Sequence, residues 1–493
     1  MGRGTACAVP ITNPNGDKGD MLKNRRPLAQ LATLVLLGVC CGTLGVLGLC
    51  ELTGRFSEMS SAAAAAVAAL LLGTAACTGY AGFFLKGSGK VRVALEIVSL
   101  GVALLAAEVL LRILAPDPAT TQLARKLDAD HLGLPFDMRT KSDVVTDLRA
   151  HGIDALPGMS REWPRNARVR QQLPDGLFPL SDASNAEIVE CNESGEYLRW
   201  HTDEFGFNNP AGLILSGHVL AAAVGESFTL GHCLPPQQAF ITLLRKSYPT
   251  LANFGMEGSG ALALLATFRE YVEPLKPPLV LWIMHPWTAD ASAEYADPIL
   301  RQYLEPGFSQ HLLQRRGEVD AAIRTIAVPV QYESDAAQSR ALEEARRTRF
   351  AGIFSLSQLR KRLHLPELMA KPPPPLDLAP FDRSVDLARR TTEGWGGRFV
   401  VVIMPLYEEV VSHNLEGPLH HERLVARLHA SGFEVIDTVP LFEDSSDAVG
   451  LYLNRRANHP SAAGHKLLAD YIASQLSAGQ SGHTMLARGG VDK

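Results

Sequence analysis

The chain has no basic surplus: 47 Lys and Arg stand against 52 Asp and Glu, a net charge of −5. Without excess cation it has no electrostatic footprint for a phosphate backbone, which argues against nucleic acid as a partner. Cysteine is scarce too. Seven in 493 residues, none in a C-x-x-C pair, exclude a disulfide-stapled miniprotein and give no zinc motif. Four of them (Cys40, Cys41, Cys50, Cys77) lie in apolar runs, where they act as small hydrophobes. The glycines around Gly258 lack the spacing of a dinucleotide fingerprint, so no cofactor and no metal is expected. Charge itself is thin, at 20% of residues against 46% apolar, and the mean hydropathy of +0.03 is too high for a wholly soluble chain.

The missing charge is concentrated in three places. Pro27 to Cys50 and Met59 to Leu85 contain no charged residue, and each exceeds the roughly 20 residues a helix needs to cross a bilayer. The first is too long for the apolar part of a signal peptide and no small-x-small site follows, so it reads as an uncleaved anchor. A third run, Val91 to Leu114, carries Arg92, Glu96, Glu108 and Arg112, two i,i+4 pairs placed to snorkel at either end of a span. Lys18, Lys23, Arg25, Arg26, Lys86, Lys90 and Arg92 put the N-terminus and second loop in the cytoplasm, and three spans then place the rest outside it. Were the third run a surface amphipathic helix instead, the C-terminal domain would stay in the cytoplasm.

The expected organisation is a tail over 1–26, a membrane anchor over 27–115 and a loop-rich lead-in over 116–210. An α/β domain over 211–478 and a flexible tail over 479–493 follow. Five buried runs read as parallel strands of one sheet covered by helices: Val219–Val224, Leu251–Phe254, Leu279–Met284, Phe399–Met404 and Phe433–Ile436. Between the third and fourth lies an insertion, about 291–396, with helical period over Ser339–Leu365 and a Pro372–Pro375 breaker.

Ligands of such sheets bind beyond the carboxyl ends of the strands. There the first strand runs into Gly225-Glu226-Ser227-Phe228-Thr229-Leu230-Gly231, which exposes a serine at a helix N-terminus. The second runs into Asn253-Phe254-Gly255-Met256-Glu257-Gly258-Ser259-Gly260. Near the C-terminus, Asn458-His459-Pro460-Ser461-Ala462-Ala463-Gly464-His465 opens the last helix and fixes His459 at its start.

These three blocks, in this order, resemble the SGNH (GDSL-type) hydrolases. Thr202-Asp203-Glu204-Phe205-Gly206-Phe207 and Asp297-Pro298-Ile299-Leu300-Arg301 extend the likeness to bacterial membrane-anchored members. The resemblance covers about Tyr197 to Leu476. It implies a flavodoxin-like three-layer α/β/α domain with a five-stranded parallel sheet, no cofactor, and an acyl group moved from or to a sugar, lipid or other alcohol. By matching position, Ser227 would be the nucleophile, the N–H groups of Ser227 and Gly258 the oxyanion donors, and His459 the base.

Two positions depart from the family. Its third block supplies an Asn donor where this chain has His285-Pro286-Trp287-Thr288-Ala289-Asp290, leaving Thr288 as a weak substitute. Its Asp three residues before the histidine is Arg456 here, leaving Asp437, at the end of the fifth strand, as a conceivable orienter or else a plain cap. Two functions follow. One is an extracytoplasmic acyl esterase or O-acyltransferase of an envelope or secreted glycan, in the inner or plasma membrane. The other is a catalytically weakened homologue serving polysaccharide assembly proteins as a binding partner. His465 reads as an ordinary helix residue and His420-His421 as a solvated pair. Cys191 and Cys233, the two cysteines of the C-terminal domain, could join if the domain is exported.

Overall fold

The computed structural model of the protein describes residues 26–52, 61–114, 126, 129–131, 133–160, 163–290, 292–363, 376–411, 420–455 and 458–488. Contacts divide the chain into two units, 1–118 with 343–374, and 119–342 with 375–493. The insertion therefore does not belong wholly to the α/β domain, as its position between strands suggests: part of it groups with the N-terminal helices.

In the first unit, α1 (Arg26–Leu52), α2 (Ser61–Phe84) and α3 (Gly87–Leu114) are each long and apolar enough to cross a membrane. Small residues let α1 and α2 approach closely. A Cβ added at Gly79 would meet Cys40 Sγ at 3.3 Å, and one at Gly82 would meet Leu37 Cδ2 at 3.1 Å. Both i,i+4 pairs of α3 form, Arg92–Glu96 at 3.1 Å and Arg112–Glu108 at 2.8 Å. The second does not snorkel as expected. Glu108 is buried, because its carboxylate accepts the N–H groups of Gln358 (3.0 Å) and Leu359 (2.8 Å) at the start of the insertion's short helix Ser357–Arg362.

The second unit is built on a five-stranded sheet of β4 (Ala221–Gly225), β5 (Leu251–Gly255), β6 (Leu279–Met284), β7 (Arg398–Ile403) and β8 (Glu434–Asp437). All neighbours run parallel, in the order β5-β4-β6-β7-β8, the flavodoxin-like order for five successive strands. The strands read as unbroken apolar runs because both faces are covered, and every residue of β4, β5 and β6 is buried. Trp282 on β6 is fully enclosed, so its truncation to Ala would cost about 3–5 kcal/mol. The chain leaves β4 for β5 on one side and returns to β6 on the other, so the sheet's switch point, where a ligand crevice opens, lies between β4 and β6.

The lead-in is not merely loop. β1 (Ala155–Pro157) pairs parallel with β2 (Glu187–Val189), which pairs antiparallel with β3 (Arg199–His201). Leu156, Phe178 and Trp200 bury in the same core as the large sheet. The Thr202–Phe207 block is a buried turn: Asp203 accepts the N–H groups of Phe205 and Phe207 at 2.8 and 2.9 Å. At the far end, the last helix runs Ala462–Arg488, past the expected boundary at 478, so the tail beginning at 479 is helical up to that residue.

Candidate active site

Ser227 opens a single helical turn, Ser227–Leu230, directly after β4. The turn can sit so close to the sheet only because β4 and β5 end in glycine. A Cβ on Gly255 would lie 2.6 Å from the backbone carbon of Thr229, and one on Gly225 would lie 2.9 Å from Ile283 O. The first bond of the turn is Leu230 N–H to Glu226 O (3.0 Å), so the N–H groups at its start precede any helical partner. Gly258, in the turn after β5, holds φ at +70°, a conformation that suits glycine. Glu294 anchors this turn, accepting the N–H groups of Gly260 (2.7 Å) and Leu262 (3.0 Å).

His459 arrives from the other end of the chain. Leu453 N–H donates to His459 O at 2.9 Å, and Tyr452 forms a bridge with Pro460, which pins the backbone just before the last helix. Its ring spans two partners: Nε2 lies 3.1 Å from Ser227 Oγ and Nδ1 lies 2.9 Å from Glu193 Oε2. A serine hydroxyl, an imidazole and a carboxylate are thus brought into one line, the arrangement a nucleophile, a base and an orienting acid would need. Ser227 is 6% exposed, and the rings of Phe228 and His232 flank His459 at centroid distances of 5.6 and 4.8 Å.

Sequence reasoning missed Glu193. The acid stands not beside the histidine but at the tip of the hairpin joining β2 to β3. The hairpin is closed by Glu190 N–H to Leu198 O (2.9 Å) and Leu198 N–H to Cys191 O (3.0 Å). Cys191 is bonded to Cys233, with Cα atoms 5.5 Å apart, and the two pack with Leu234 and Leu453. Asn454, left-handed at φ +48°, donates its side-chain N–H to the Glu193 carbonyl. The hairpin tip is therefore tied to the segment after Ser227 and to the segment before His459. The available signal was Cys191 itself, two residues from the acid.

The other expected residues are placed as follows. Asp437 is not on His459: its carboxylate caps Val439 N–H at 3.0 Å, and Glu193 occupies the orienting position. Thr288, in the turn Pro286–Ala289, commits its hydroxyl to His285, 3.3 Å from the backbone nitrogen and 3.4 Å from Nδ1. Arg456 lies outside the described residues. His465 is not an ordinary helix residue but a buried acceptor for Phe240 N–H (3.0 Å), and burial pushes its pKa down to about 3. His421 is buried, its Nδ1 3.8 Å from Glu409, rather than solvated.

Two histidine–carboxylate contacts surround the line. His285 Nε2 lies 2.9 Å from Glu226 Oε1, in the place of the missing Asn block. Burial alone would raise the Glu226 carboxyl, but His285, with His459 and His232, holds it below the usual carboxylate range. His232 Nδ1 lies 2.9 Å from Glu190 Oε2. Burial opposes its charge, yet the carboxylates of Glu257, Glu190 and Glu193 lift His232 to about 9. Single ligand atoms of Glu190, His232 and Glu257 lie within 4.8 Å of one another.

No family model matches the chain, and no curated protein matches it. It is similar to a solved structure from Desulfitobacterium hafniense DCB-2 assigned to the lipolytic G-D-S-L family. That likeness has 14% identity and a TM-score of 0.29, and covers 52% of this chain and 99% of that one. A second, of the same family description, is from Veillonella parvula DSM 2008, with 13% identity and a TM-score of 0.28, covering 51% and 94% of the two chains. A third is a gut microbial diltiazem-metabolizing enzyme, with 13% identity and a TM-score of 0.22, covering 52% of this chain and 46% of that one.

Proposed function

We propose that the protein is a membrane-anchored serine acyl hydrolase or acyltransferase in which Ser227, His459 and Glu193 act as one relay. The observation that carries the reading is the pair of contacts made by the His459 ring, to Ser227 Oγ at 3.1 Å and to Glu193 Oε2 at 2.9 Å. In the reaction, Ser227 Oγ attacks the carbonyl carbon of an ester while its proton passes to His459 Nε2. Negative charge develops on the carbonyl oxygen, where the N–H groups of Ser227 and Gly258 are the donors. Glu193 accepts a hydrogen bond from Nδ1–H, stays ionised, and favours the imidazolium that forms. His459 then protonates the departing alcohol, and water or a second alcohol takes the acyl group from Ser227. His285 Nε2 lies 2.9 Å from the Glu226 carboxylate next to the nucleophile and holds that carboxylate in place.

The substrate class we propose is an O-acylated glycan of the envelope or a secreted glycan, met on the extracytoplasmic side of the membrane. The Cys191–Cys233 bond supports that side, since such bonds persist in oxidising compartments. A second reading, a binding partner of polysaccharide assembly proteins with weakened catalysis, is favoured by one observation. The Asn donor of the third block is replaced, and the Thr288 hydroxyl is engaged with His285.

The test uses the full-length protein in a bilayer with an activated acetyl ester and a serine-directed phosphonate. Turnover and a phosphonate adduct on Ser227 are expected, both abolished in Ser227→Ala and turnover lost in His459→Ala. Full activity in both variants overturns the relay, and a wild type inert to substrate and phosphonate alike favours the binding partner.

A further inference from the structure

A charged side chain in a helix long enough to span a bilayer needs a partner, and Glu108 has an unusual set. Besides Arg112, its carboxylate takes the backbone N–H groups of Gln358 and Leu359, while Arg112 Nη2 donates to Ser357 Oγ at 2.6 Å. The insertion is thereby latched to α3 through a buried carboxylate. The helix Arg316–Phe354 leads to this latch, and a left-handed turn at Leu356 (φ +53°) starts the short helix Ser357–Arg362.

The depth of the latch follows from helix geometry. α3 has 28 residues, about 42 Å at 1.5 Å per residue, against a hydrocarbon core of about 30 Å. Glu108 stands six residues before its last residue, Leu114, about 9 Å along the axis. A centred span overhangs by about 6 Å at each end, which puts the Glu108 backbone about 3 Å inside the acyl-chain region, just below the headgroups.

The residues flanking the latched helix suit that depth and do not suit water. Phe354 is 76% exposed and Leu363 is 55% exposed, one on each side of it, and Arg360 and Arg362 are exposed between them. Apolar side chains beside arginines form the composition of a segment lying in an interface, with aromatic and aliphatic groups among the acyl chains and guanidinium groups among the phosphates. We infer that residues 354–363, held on α3 by Glu108, are an interfacial foot that rests in the headgroup region of the bilayer spanned by α1–α3. The occupant of this apolar surface is lipid, and the inference rests on the reading of α1–α3 as spans. The foot would fix the insertion's depth relative to the membrane surface, where acyl chains and lipid-linked substrates lie.

The test is photochemical crosslinking of the full-length protein in nanodiscs containing anionic lipid. p-Benzoylphenylalanine is placed singly in place of Phe354, Leu363, Leu70 on α2, and Leu215 on the α/β unit, the last two being 70% and 68% exposed. Lipid adducts are read by mass spectrometry. The expected result is adducts at 354, 363 and 70 and none at 215. Adducts at 70 without adducts at 354 and 363 overturn the foot alone, as do crosslinks from 354 and 363 to a second copy of the chain. Absence of adducts at 70 as well overturns the spanning reading and the foot with it. Glu108→Ala should abolish most of the adduct at 354 and 363 and leave that at 70 unchanged, and unchanged adducts at all three positions would sink the latch. Exchanging the anionic for zwitterionic lipid should lower the yield at 354 and 363, an effect that Arg360→Gln with Arg362→Gln should remove.

Discussion

Glu193 Oε2 lies 2.9 Å from His459 Nδ1 although 266 residues separate them in the chain. The acid comes from a hairpin of the lead-in segment, ahead of the large sheet, and the histidine from the start of the last helix. The lead-in thus contributes a carboxylate to the proposed relay.

Removal of that carboxylate should slow turnover with little change in KM, because Glu193 contacts the base and not the acyl group. Glu193→Gln keeps the side-chain volume but loses the charge that favours the imidazolium, and should lower kcat by up to roughly 10⁴-fold. Glu193→Asp, one methylene shorter, should retain part of the rate. Steady-state kinetics on an activated ester decides it, and an unchanged kcat in Glu193→Gln would leave the carboxylate without a role in the relay.

The Cys191–Cys233 bond should act through Glu193. Cys191→Ser with Cys233→Ser removes one of several ties on the hairpin tip, among them Asn454 to the Glu193 carbonyl and Asn192 to Asp137 O. The pair of substitutions should lower kcat in the wild-type background and add little in a Glu193→Gln background, the non-additivity expected of residues acting as one unit. Equal losses in both backgrounds would mean that the bond merely supports the fold.

Gly255→Ala should harm the nucleophile's turn specifically. The added methyl meets the backbone of Thr229 and Leu230, which cannot swing aside as a side-chain end could. Overpacking of this kind costs about 1–3 kcal/mol, and the shift falls on the turn that carries Ser227. Lower thermal stability with a larger loss in kcat is expected, and a variant as active and stable as wild type would show that the turn has slack.

The sheet was legible because it is buried on both faces: β6 falls on the expected run, Leu279–Met284, and the other four strands fall within one or two residues of theirs. Ser227 and His459 were legible as candidates because the turn that carries each is written locally, in Gly225 to Gly231 and in Asn458 to Pro460. Glu193 was not, because its role depends on where a hairpin tip lands after folding, and no local pattern distinguishes it from Glu190 or Glu196. Asp437 takes the other of its two expected roles, that of a cap, because a carboxylate at a strand end has backbone N–H groups within reach. The Glu108 contacts escaped because an i,i+4 charge pair is locally complete, and its further partners lie some 250 residues away. The two units likewise cannot be read from sequence order, since residues 343–374 join the unit of the N-terminal helices.

The charge on His232 should make the α/β unit lose stability in mild alkali. Its folded pKa, about 9, stands above the ordinary 6.5 because Glu257, Glu190 and Glu193 outweigh the cost of burial. The folded state therefore binds the proton more tightly than the unfolded chain. The resulting stabilisation is fully present below about pH 6.5, declines as pH rises and is lost above about pH 9. All five tryptophans (Trp163, Trp200, Trp282, Trp287, Trp395) lie in this unit, so intrinsic fluorescence of the full-length protein in a bilayer reports its melting alone. The midpoint of wild type should fall between pH 6.5 and 9, and that of His232→Gln, which is lower at pH 6.5 for want of the ion pair, should fall less over the same interval. Parallel curves for the two proteins would show that His232 does not hold its proton through that range and that the Glu190 pair is not ionic.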